Sequence, residues 1–173
     1  MNKQWLAGAG FALALSGCVQ PGGVGAPGDG SAPVAIEGDS ITLETSPCFG
    51  ACPVYAVTVR PDGQGTFVGK RFTAVTGERR FTLTPAQYDA FAARLAPYRP
   101  ASGEVRYAPG EPNCAQAATD MPSVDVTWTR AIGDFQHLSF YFGCGMEENR
   151  AMRDALGHAS EALPIADFVK ARP

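Results

Sequence analysis

The 173-residue chain is short of charge, of basic runs and of long apolar segments, and each shortage excludes something. Only 18% of its residues are charged, with 14 Lys plus Arg against 17 Asp plus Glu and a formal net charge of −3. No basic run exceeds Arg79-Arg80. That balance argues against a nucleic-acid partner, which needs a concentrated positive field against the phosphates. The chain has no Gly-x-Ser-x-Gly, no Gly-rich phosphate loop and no His-Glu-x-x-His. Hydrolase and nucleotide chemistry therefore lack their usual residues, and no cofactor is expected. Glu147 and Glu148 are adjacent, so on a helix they point about 100° apart and form no acid/base pair. Expected in a first helical turn, they are solvated acids suited to the dipole.

What is present begins with an address. Met1-Asn2-Lys3 precedes an apolar run from Trp5 to Leu15, too short to span a bilayer, and Leu15-Ser16-Gly17-Cys18 closes it. This ending resembles the bacterial lipobox. The resemblance implies cleavage after residue 17, a lipidated Cys18 as the new N-terminus, and palmitate-type acyl chains that hold the mature chain to its membrane. By the sorting rule of Gram-negative lipoproteins, Val19 in place of Asp implies outer-membrane residence, facing the periplasm. Residues 19–34 hold five Gly and three Pro. Residues 18–38 thus read as lipidated Cys plus tether, its Gly/Pro-rich stretch 19–34 having a span on the order of 20 to 25 Å as a flexible coil. Residues 39–173 are left for a single domain.

Within that domain, Tyr55, Val57 and Val59 alternate with polar or small neighbours, and Pro61-Asp62-Gly63 supplies a turn before Thr66-Phe67-Val68, so a hairpin is expected. Glu78 to Leu83 reads as a further strand. Thr84-Pro85 is an N-cap with proline at the first helical position, and Tyr88, Phe91, Ala92 and Leu95 follow at helical spacing up to Pro97. Residues 97–122 contain five prolines and little periodicity, which predicts a long irregular connection. A second hairpin follows, with Val124, Val126 and Trp128 on one face and Leu138, Phe140 and Phe142 on the other strand's matching face. Met152, Leu156, Ala159 and Leu163 then form the stripe of a terminal helix, softened at Gly157. The expected fold is α+β: an antiparallel sheet of about five to six strands with two helices packed on one face.

With Cys18 taken by lipid, Cys48, Cys52, Cys114 and Cys144 remain in an oxidising compartment. Three pairings are possible. Residues four apart in an extended strand lie about 13 Å apart, beyond the roughly 7 Å a disulfide tolerates, so Cys48 and Cys52 can join only through a turn. Gly50 suits that turn. The late hairpin brings Cys144 near the loop carrying Cys114, so the local pairing leads. Both pairs are read as structural staples.

The run Ser46-Pro47-Cys48-Phe49-Gly50-Ala51-Cys52-Pro53-Val54-Tyr55, with Gly69-Lys70-Arg71-Phe72 and Thr119-Asp120-Met121-Pro122-Ser123, resembles a bacterial family of unknown function with the motif Pro-Cys-Phe-Gly-x-Cys-Pro-x-Tyr. The resemblance covers roughly residues 40 to 165 and brings no activity with it. Cys48-x-x-x-Cys52-Pro53 also resembles the site of Sco-type copper chaperones and thiol oxidoreductases, which implies Cu(I) or redox chemistry at these two cysteines. In that family the motif sits between a strand and a helix of a thioredoxin-like fold and a distant His completes the metal site. Here it runs straight into a strand, and His137 and His158 read as solvated or locally bonded residues. The leading expectation is therefore a membrane-anchored, non-catalytic binding module, meeting an envelope protein or glycan through Phe49 and Tyr55. Tyr98, Tyr107 and Tyr141 are further aromatics available to such a patch, and thiol or copper handling is the alternative.

Overall fold

The computed structural model describes residues 39–170. The expected signal peptide 1–17, the expected lipidation site Cys18 and the expected tether to residue 38 lie outside the described residues. The strands are β1 (Ser40–Thr45), β2 (Val54–Val59), β3 (Gln64–Arg71), β4 (Gly77–Thr82), β5 (Gly103–Tyr107), β6 (Ser123–Thr129) and β7 (Phe135–Tyr141). The helices are α1 (Pro85–Leu95), α2 (Arg150–Gly157) and α3 (Ala166–Val169), with 3-10 turns at Ala96–Tyr98 and Ala159–Ala162.

All seven strands form one sheet in the order β4-β3-β2-β1-β6-β7-β5. Strand β1 is central and pairs antiparallel with both hairpins, Leu43 opposite Val57 on one side and Val126 on the other. The period-two pattern then decides the layers. Ile41, Leu43, Val57, Val59, Phe67, Val124, Val126, Trp128, Leu138 and Phe140 are buried on one face and join Phe91, Leu95, Leu156, Leu163 and Ile165 of the helical segments in one core. Thr42, Thr58, Asp125, Thr127, His137 and Ser139 alternate with them and stay half-exposed. The helices therefore cover one face and leave the other to solvent, as an antiparallel sheet permits.

Local chemistry sets the element ends. The Thr84 side chain accepts from Gln87 N, and Gln87 Oε1 accepts from Thr84 N at 2.9 Å, a reciprocal capping box with Pro85 opening the helix. At Asp62-Gly63 the carboxylate accepts from Gln64 N at 2.9 Å and closes the β2–β3 turn.

Four expectations need correction. The sheet has seven strands, more than the five to six expected, and its β5–β7 pair is parallel, Val105 beside Leu138. The connection 97–122 is not irregular throughout: it contains β5, which lacks an alternating pattern because it is an exposed edge whose ladder bonds come from β7. There are three α-helices among the described residues, since the C-terminal stripe breaks after Gly157 into α2, a 3-10 turn and α3. Glu147 and Glu148 precede α2, which begins at Arg150 after Asn149. Asn149 N bonds to Gly145 O, so the chain turns before it enters the helix.

Candidate binding site

The segment between β1 and β2 reverses within a few residues. Gly50 takes φ +145, a conformation glycine adopts without the steric cost of a Cβ, and its N–H donates to Cys48 O at 2.9 Å. The reversal brings the Cα atoms of Cys48 and Cys52 to 5.8 Å, and the two are joined as a disulfide. Phe49 N donates to Asp120 O at 3.3 Å, which ties the loop to the segment entering β6. The Phe49 side chain points out of this closed ring and is 88% exposed. Phe72 follows β3 at the same end of the β2–β3 pair, with the Arg71 guanidinium 5.0 Å from its ring centroid. Phe72 is itself half-exposed.

Tyr55 is placed differently from its expected role. Tyr55 shares the buried face with Val57 and Val59, as the alternation predicts, and the register shift against β3 at Val54/Tyr55 accompanies the burial of Val54 as well. Thr45 stabilises the irregularity by donating its hydroxyl to Pro53 O at 2.9 Å and accepting from Tyr55 N at 3.0 Å. The Tyr55 ring stacks on Phe67, centroids 5.3 Å apart, and its hydroxyl donates to Ser160 Oγ at 2.9 Å. Burial raises the phenol above its ordinary value, and the bond to Ser160 partly offsets the rise. Tyr55 is therefore unavailable to a surface partner. Tyr98, Tyr107 and Tyr141 likewise pack against the core.

Tyr55 lines an apolar cavity of about 510 Å³. Leu43, Val124 and Cys52 share its wall with Phe142, Leu156 and Ile165. The cavity is assembled from β1, β2, the start of β6 and the whole C-terminal helical segment, so no local pattern announces it. The bond from Tyr55 to Ser160, spanning 105 positions, had no sequence signal either.

The second staple joins Cys114 to Cys144, Cα atoms 5.0 Å apart, both nearly inaccessible to solvent. Ala118 N donates to Gly143 O and Gly145 N to Gln116 O, each at 2.9 Å, so the bridge and two backbone bonds hold the connection against the end of β7. Tyr141 adds to this by accepting from Met121 N and donating to Ala118 O at 2.8 Å.

The histidines are engaged elsewhere. His137 Nε2 lies 3.2 Å from Asp125 Oδ1 and its Nδ1 3.7 Å from Glu104 Oε1, on the solvent-facing side of the sheet. These carboxylates meet opposite edges of the ring, so they cannot gather with it around one ion. His158 Nδ1 lies 2.9 Å from Asp154 O. Among the described residues no group of three or more His, Cys, Asp or Glu is arranged to hold a metal.

The closed loop, the bulged β2–β3 pair and the pinned connection belong to a domain class that has a family description but no assigned role. The chain belongs to DUF6438, a domain of unknown function, matched over residues 39–161. No curated protein and no solved structure matches it.

Proposed function

We propose that this chain is an outer-membrane lipoprotein whose domain acts as a non-catalytic binding module, presenting Phe49 on a disulfide-closed loop to an envelope protein or glycan. The observation that carries the reading is Phe49, 88% exposed on a ring closed by Cys48–Cys52 and backed by Asp120 O. A large aromatic held rigidly in water costs little conformational entropy when a partner covers it, which is the property of an interface anchor. Phe72, with the Arg71 guanidinium over its ring, is a second exposed aromatic at this end of the β2–β3 pair. The lipobox-like Leu15-Ser16-Gly17-Cys18 and the Gly/Pro-rich tether support anchorage with the domain held off the lipid.

A photo-crosslinking residue at position 49 of the full chain, irradiated in living cells, tests the recognition surface. The reading expects a discrete adduct that Phe72→Ala weakens, with protease and glycosidase digestion telling a protein partner from a glycan. No adduct above that from a crosslinker at exposed Glu111 would sink it. Radiolabelled palmitate incorporation, lost in Cys18→Ser, tests the anchor.

The alternative, thiol-disulfide or Cu(I) chemistry at Cys48 and Cys52, draws on their position beside solvent in a short loop before Pro53. Their reduction potential separates the two readings. A value below about −300 mV marks a staple, whereas one near −120 to −270 mV favours an exchanging pair.

A further inference from the structure

The cavity beside Tyr55 does not include Phe49, although Cys52 and Pro53 at the end of its loop contribute to the wall, and it supports an inference separate from the exposed aromatic. Leu43, Tyr55 and Val124 of the sheet face Leu156, Leu163 and Ile165 of the helical segment across it. Gly157, Glu161, Ala166 and Lys170 are the exposed members of its wall and mark where it opens. Its volume of about 510 Å³ falls in the range of roughly 300 to 1,000 Å³ typical of small-molecule sites.

Two features define the ligand. The polar atoms within the wall are already paired, Tyr55 with Ser160 and Thr45 with Pro53 O, so the interior offers hydrocarbon contacts and asks for no polar group in return. The remaining polar side chains are hydroxyls, which both donate and accept, and one charge of each sign at the opening. Among the described residues the hydroxyls of Ser46 and Ser123 and the ammonium of Lys170 have no side-chain hydrogen bond or ion pair, and Glu161 is the only carboxylate of the wall. An ammonium without a side-chain partner at the mouth of an apolar chamber, with wall hydroxyls able to donate, suits an anionic head on an apolar tail. We propose that this cavity binds a single acyl chain ending in a carboxylate, its hydrocarbon between the sheet and α2–α3 and its carboxylate at the Lys170 side of the opening.

The test uses the full chain in phosphatidylcholine vesicles and dodecanoic acid carrying a diazirine at its far end, with labelled peptides mapped after irradiation. The expected label concentrates in residues 121–124 and 156–170. Unlabelled dodecanoate should compete at about tenfold lower concentration than dodecanol, the increment of one charge-assisted hydrogen bond, and Lys170→Gln should erase that preference. Ala166→Trp, at an exposed position of the opening, should cut labelling about tenfold without changing the melting temperature. The proposal is overturned if label spreads over exposed peptides outside the wall, such as residues 103–113, if dodecanol competes as well as dodecanoate, or if Ala166→Trp leaves cavity labelling intact. Phe49→Ala should leave labelling unchanged, so failure of this site and failure of the loop reading are separable.

Discussion

Replacing each disulfide by a pair of alanines separates what the two staples do. In the chain-entropy account, a cross-link stabilises by removing closure entropy from the unfolded ensemble, so the longer loop contributes more. Cys114 and Cys144 are 30 positions apart and Cys48 and Cys52 only 4. The double substitution Cys114→Ala/Cys144→Ala should therefore cost about 3.7 kcal/mol, and Cys48→Ala/Cys52→Ala about 2 kcal/mol. Over the roughly 130 described residues, an unfolding entropy near 2.1 cal/mol/K per residue converts these to drops in Tm of about 13 and 7 °C. Packing sharpens the ranking, because Cys114 and Cys144 are buried in the core cluster whereas Cys48 and Cys52 are partly exposed. The native fold should survive the longer bridge's loss, since the Ala118–Gly143 and Gln116–Gly145 backbone bonds still hold the connection. Calorimetry of both variants against the parent, with far-ultraviolet circular dichroism as the check on fold, measures the difference. An equal or larger drop for the short loop would refute the reasoning, and would mean that Cys48–Cys52 organises the bulged β2–β3 pair and does more than close a ring.

Three further outcomes follow from named contacts. A Cβ on Gly69 would lie 1.8 Å from Val75 O, a backbone atom that Val75 N–H, bonded to Phe168 O, helps to hold, so Gly69→Ala should lose about 1 to 3 kcal/mol in urea denaturation. Tyr55 titrates above 10.0 in the folded state through burial, so the unfolded chain ionises first and the group's stability, complete below pH 10, falls as pH rises through the folded value. Tyr55→Phe should cost about 1 kcal/mol at neutral pH through the lost bond to Ser160 and should flatten the alkaline decline, leaving the part due to Tyr88, whose burial and neighbouring Asp39 and Asp89 raise it too. Phe140, fully buried and edge-on to both Tyr107 and Phe142, should cost about 3 to 5 kcal/mol when cut to Ala, whereas exposed Phe49 cut to Ala should stay within about 0.5 kcal/mol.

The two hairpins, helix α1 and the local pairing of the cysteines were legible because their causes are short-range. Alternation in Val124 to Trp128, turn chemistry at Asp62-Gly63, the cap at Thr84 and the freedom of Gly50 each act over a few residues, and the structure uses every one. The face Tyr55 takes was legible too, in phase with Val57 and Val59, whereas the burial of Val54 was not, because it falls at a register shift against β3 that no local pattern marks.

Strand β5 shows the same limit at longer range. Gly103 to Tyr107 has no period of its own and becomes a strand only because the parallel edge of β7 supplies its partners. The cavity goes further, since it exists only after β1 has inserted between hairpins far apart in the chain and the C-terminal segment has closed over the resulting end of the sheet. Residue order alone carried the periodicities, the turns and the helix cap, all properties of neighbouring backbone and side chains. Strand order, the edge pairing and the empty space between sheet and helices came from packing between distant segments, where the energy of burying one face is indifferent to which segments supply it until the whole sheet has formed.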